Sequence, residues 1–144
     1  MKPNQITGKV MCVFIRNNQD ILVGLGYDNV KAKHFGRILG GTIELQEKAE
    51  VAMRREIREE LNCEIDNLRF IKVIENIFTY QNYLGHEIVF LYQGDLADKS
   101  LYEQEKISVI DTSNFEAAWI PIKDIVEGKS ILYPELDLLS LLNA

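Results

Sequence analysis

Three glutamates, Glu56, Glu59 and Glu60, fall close together in a segment with helical patterning. On a regular helix Glu56 and Glu60 lie about 40° apart around the axis, with Glu59 about 60° from Glu56. Like charges at that spacing repel and weaken an isolated helix. Their direction matters more. Ala49, Met53, Ile57 and Leu61 form an apolar series at intervals of four, and Glu56 and Glu60 project beside it. The carboxylates therefore point toward the packed side, where an unpaired charge is costly. A divalent cation would offset both burial and repulsion, and clustered carboxylate oxygens suit magnesium or manganese. Upstream, the Gly40-Gly41 pair lets backbone approach a ligand closely, because no β-carbon stands in the way.

The spacing is more specific than an acidic cluster. Gly41 is followed after five residues by Glu47, then after seven by Arg55-Glu56-Ile57, then by Glu59-Glu60 and, past Leu61, by Asn62-Cys63. This resembles the Nudix box, G-x5-E-x7-R-E-U-x-E-E-x-G-U with U apolar, and departs from it only at Asn62. That change is mild, since the residue after a helix commonly turns left-handed, where Asn is second only to Gly. Leu39 and Gln46 stand where family members often carry Pro and Gly. Both shape the loop before the helix, and neither is a metal ligand in the family.

The resemblance implies an α/β fold: an α/β/α sandwich around a mixed β-sheet, with the box as a loop-helix-loop. The implied activity is hydrolysis of a pyrophosphate bond in a nucleoside di- or triphosphate or a nucleoside diphosphate derivative such as ADP-ribose, with water as nucleophile. Glu56 and Glu60 would be the main ligands of Mg²⁺ or Mn²⁺, with Glu59 next and the Gly40 carbonyl helping. Arg55 and Glu47 would hold those ligands in place through a bidentate fork. By the resemblance the general base is a box glutamate, with Glu59 as a catalytic candidate, or a later acidic residue: Glu116 falls where many relatives carry a glutamate and is a candidate base or ligand, with Glu103 and Glu105 as alternatives. Gly41, Tyr80 and His86 are candidate substrate-binding residues. Tyr80, Tyr83 and Phe78 have the ring chemistry to stack on a nucleobase, and core packing is an equal reading for each.

Composition limits the alternatives. The 144 residues suit one domain, 1–144, with a proper core. Hydrophobic residues make up 47% and charged residues 26%, as in ordinary globular proteins. A formal charge of −6 argues against a broad nucleic-acid surface, which needs clustered Lys and Arg. A phosphate-rich small molecule can still bind if metal ions bridge the two acids. Cys12 and Cys63 stand apart from any C-x-x-C pair, so neither zinc nor a disulfide framework is indicated. No leader and no membrane span are recognisable, which makes cytoplasmic the expected location. A homodimer is compatible with the sequence.

The surrounding elements follow from patterning. Strands are predicted over 9–16 and 21–25, joined by the turn-rich 17–20. Residues 27–34 look like a polar surface loop. The box helix is predicted from Glu47 or Lys48 to Leu61. A long or broken strand is predicted over 68–80, a turn over 81–85, a returning strand over 86–92 and a polar loop over 95–104. A short strand follows at 119–122, a helical turn at 123–128, and a final helix over 134–142 opened by proline.

Two functional classes compete. A helix rich in Glu and Arg is ordinarily a solvated face, but the full spacing and the inward direction of Glu56 and Glu60 favour a site. The alternative is a Nudix-fold sensor that binds nucleotide or ADP-ribose without turnover. Such proteins usually lose box glutamates, which this chain keeps.

Overall fold

A computed structural model describes residues 4–109 and 116–142. Its strands are β1 (Ile6–Val13), β2 (Ile15–Arg16), β3 (Asp20–Asp28), β4 (Lys33–Thr42), β5 (Ile65–Tyr80), β6 (Tyr83–Leu96), β7 (Lys106–Ser108), β8 (Glu116–Pro121) and β9 (Leu132–Tyr133). The helices are α1 (Ala49–Leu61) and α2 (Ile122–Val126). The strands form one mixed sheet in the order β5-β6-β1-β4-β3-β8-β7, with β2 on β3 and β9 on β4. Pairing is antiparallel except for β1 with β6 and β4 with β9.

Two apolar layers flank the sheet, and the alternation along β1 assigns each residue to one of them. Val10, Cys12 and Phe14 pack with Ala52, Met53, Ile57 and Leu61 of α1. Met11 and Val13 pack on the other side with Ile122 of α2 and Leu138. The α/β/α sandwich is therefore present. Burying Met53 and Ile57 completely contributes about 1.5–3 kcal/mol each. Helix α1 ends as its sequence predicts: Asn62 is left-handed, φ 52° and ψ 47°, and its N–H reaches the Arg58 carbonyl at 2.9 Å.

Strand β4 joins the halves of the sheet. Its residues Lys33 to Ile38 pair with β3, and Leu39 to Thr42 pair with β1. The exchange of partner falls just before Gly40 and Gly41. A β-carbon on Gly40 would strike the Val10 carbonyl oxygen, so glycine permits the close approach of β4 to β1.

Three expectations need correction. Residues 27–34 are not a loop: Tyr27 pairs with His34 and Asp28 with Lys33, leaving 29–32 as the turn. The predicted final helix is only a 3-10 turn, Leu138–Leu141, because Leu132 and Tyr133 pair with β4. Leu136, Leu138, Leu141 and Leu142 then all pack into the second apolar layer instead of forming one helical stripe. The loop predicted over 95–104 contains the end of β6 and a 3-10 turn at Lys99–Glu103.

Candidate active site

The box helix presents its carboxylates to a cleft of about 460 Å³ on the sheet. Glu56 and Glu60 line it together with Gly40 and Gly41. Glu60 is only 4% exposed, far below the usual exposure of a glutamate. A β-carbon on Gly41 would run into the Glu56 carboxylate, so the bare glycine is the space in which that carboxylate lies. Burial pushes the Glu56 carboxyl above its ordinary range, and Arg55 beside it pulls the other way.

Arg55 ties the loop to the helix. It donates to both Glu47 oxygens, and Nη2 also reaches the Thr42 carbonyl at 3.0 Å. Nη1 donates to Glu56 at 3.0 Å and to Glu59 at 3.2 Å. The fork holds Glu47 down at about 2. Glu47 in turn accepts from the Glu44 N–H at 3.1 Å, closing the loop ahead of α1. Six residues of the box segment, Thr42, Glu44, Glu47, Arg55, Glu56 and Glu59, are thus brought into one network.

Other sites expected from the sequence fall differently. Glu59 is 57% exposed and engages Arg55 on the outer side of the network. Tyr80 lines the cleft beside Phe35, with the rings edge to face at 5.7 Å. His86 does not line the cleft, and its neighbour Glu87 is buried behind it, bonded to the cleft residue Asn76. Glu116 opens β8 and is exposed, next to Ala117, which pairs with Gly24 of the cleft wall. Glu103 and Glu105 are exposed beyond it. Tyr83 is exposed at the β5–β6 turn, whereas Phe78 lines the cleft.

Several cleft residues escaped the sequence reading. Lys9, Arg37 and Asn76 line its middle, and Phe35 and Tyr133 its aromatic end. Lys9 and Glu87 did carry a signal, as charges followed on the same strand face by Met11 and Val13 and by Val89 and Leu91. Burial pulls the Lys9 ammonium below its ordinary value, Arg37 adds to this, and Glu87 opposes it.

The residues suit a hard divalent cation. Carboxylate oxygens from one helix stand at a glycine gap with one of them deeply buried, which is the donor chemistry such ions prefer. Among the described residues no three His, Cys, Asp or Glu groups are yet gathered as a clasp. Arg55 bridges Glu56 and Glu59 instead.

A family model described as the NUDIX domain matches residues 7–137. The chain belongs to that family. The domain is that of a Nudix pyrophosphohydrolase. Solved structures share the fold at low identity. A MutT NUDIX hydrolase from Burkholderia pseudomallei is 17% identical over 96% of this chain and 95% of its own, with a TM-score of 0.56. An ADP compounds hydrolase is 19% identical, covering 88% of this chain and 64% of that one, at 0.54. The E. coli ORF135 protein is 16% identical, covering 90% and 82%, at 0.52. No curated protein matches the chain. Within this Nudix fold, no helix among the described residues is long and apolar enough to cross a membrane.

Proposed function

We propose that the protein hydrolyses a pyrophosphate bond in a nucleoside di- or triphosphate, or in a nucleoside diphosphate derivative such as ADP-ribose, with a divalent cation and water as nucleophile. The observation that carries this reading is the placement of Glu56 and Glu60 in one cleft with Gly40, Gly41 and an aromatic end. Glu56, Glu59 and Glu60, with the Gly40 carbonyl, would hold magnesium or manganese. Such an ion, when bound, screens the diphosphate charge, polarises phosphoryl oxygens and acidifies water.

The chain's own residues do the rest. Arg55, forked on Glu47, keeps Glu56 from swinging toward solvent, and that fixed orientation is what a ligand set needs. Glu116 is the proposed acceptor of the water proton as the new P–O bond forms and the bridging P–O bond breaks. Phe35, Phe78 and Tyr80 offer faces and edges to a nucleobase.

Magnesium assays over nucleoside triphosphates, ADP-ribose, dinucleoside polyphosphates and nucleotide sugars, scored by phosphate and pyrophosphate release, test this. Turnover of at least one class is expected. Tight nucleotide binding with no hydrolysis in any class would favour the sensor instead.

A further inference from the structure

Four polar residues outside the Nudix box, on four strands, cluster at the middle of the cleft or directly behind it. They are Lys9 on β1, Arg37 on β4, Asn76 on β5 and Glu87 on β6. Glu87 is 2% exposed. Its Oε2 accepts from Arg37 Nη2 at 3.4 Å and lies 3.9 Å from Lys9 Nζ. Its Oε1 accepts from Asn76 Nδ2 at 3.2 Å, and Asn76 is its direct cross-strand partner. The three donors line the cleft and the carboxylate sits behind them.

This arrangement has more cation than an ion pair requires. Within this cluster two positive charges meet one carboxylate, and Glu56 and Glu60 attract Lys9 from the box side of the cleft. A pair serving stability alone would be matched, and apolar residues of similar volume are often at least as stable. Arg37 also keeps 43% of its side chain exposed, so part of its donor fork is open to a ligand. Lysine and arginine offer donors and no acceptors, and a guanidinium fork suits the oxygens of phosphate. The box carboxylates share the same cleft but repel phosphate, so they cannot supply this contact themselves.

We propose that Lys9 and Arg37, positioned by Glu87 and Asn76, bind an oxyanion of the substrate outside the bond being cut, the phosphate that stays with the nucleoside. The assignment rests on the hydrolase reading only in taking the cleft as the nucleotide site. It makes phosphate on the retained side a requirement for tight binding, separate from anything held at Glu56 and Glu60.

The test is equilibrium binding of ADP and of adenosine to the full chain in EDTA, where hydrolysis does not intervene. ADP is expected to bind wild type at least 10-fold more tightly than adenosine. Arg37→Met and Lys9→Met should each weaken ADP about 10-fold or more and leave adenosine unchanged, with Arg37→Lys intermediate. Lys123→Met, which removes one exposed charge on α2, should bind like wild type. Thermal melting confirms that each variant is folded, and half-exposed Arg37 carries the test if Lys9→Met is not. Equal affinity of wild type for ADP and adenosine would overturn the proposal, as would wild-type ADP affinity in folded Arg37→Met. If the binding pattern holds while no nucleotide is hydrolysed with magnesium, the oxyanion site stands and the hydrolase reading alone fails.

Discussion

The Arg55 guanidinium holds the Glu47 carboxylate by two parallel bonds, Nε to Oε2 at 2.8 Å and Nη2 to Oε1 at 3.0 Å. The same side chain touches Glu56, so the position of a cleft carboxylate depends on a fork anchored in the loop before α1. Lysine cannot reproduce that fork. Arg55→Lys is expected to lower kcat by about 10- to 100-fold with a smaller change in KM. Steady-state kinetics would show it, and wild-type kcat would remove Arg55 from the positioning role.

The fork also sets an acid limit. Glu47 sits at about 2, below its ordinary 4.5. A carboxyl lowered on folding contributes stability that is complete above its unfolded value and is lost as pH falls through the folded one. The window is therefore from about pH 4.5 down to about 2. Across it wild type should lose more stability in urea titrations than Glu47→Gln, whose side chain does not ionise. Equal losses would contradict the assigned ion pair.

The two glycines are expected to fail in different ways. A β-carbon on Gly41 meets the end of the Glu56 side chain, which can move aside. Gly41→Ala should therefore fold with nearly wild-type stability yet lose turnover by about 10-fold or more, because a ligand is displaced. A β-carbon on Gly40 meets backbone at Val10, which cannot move cheaply. Gly40→Ala should lose about 1–3 kcal/mol of stability. Denaturation and kinetics on both variants check the contrast, and a fully active Gly41→Ala would contradict it.

Much of this was legible because the box signals act locally. The apolar series Ala49, Met53, Ile57 and Leu61 gave the docked face of α1, and Asn62 gave its left-handed end. The outer hairpin was not legible. Tyr27 and His34 look polar, yet they pair across β3 and β4 with ring centroids 4.6 Å apart. Asp28 accepts from the Val30 N–H at 2.9 Å and shapes the turn. Neither contact leaves an apolar period in the sequence. The cationic middle of the cleft was hidden for a related reason: Lys9, Arg37, Asn76 and Glu87 lie on four strands that only the sheet order brings together.

Glu116 stands at the start of β8, beside the residue that pairs with Gly24 of the cleft. In the proposed role of proton acceptor, its loss should slow the chemical step without removing the ion. Glu116→Gln is expected to reduce kcat by several-fold to about 10²-fold, within the range of general-base contributions. Wild-type pH–rate behaviour and kcat in this variant would take it out of the site.

The buried carboxylate of Glu60 is the most direct test of the whole account. With magnesium and the best substrate of the panel, Glu60→Gln should lower turnover by about 10²-fold or more, since a lost ligand removes charge stabilisation in the transition state. Its melting temperature should stay near that of wild type. Undiminished turnover in the folded variant would contradict the claim that this helix holds the catalytic cation.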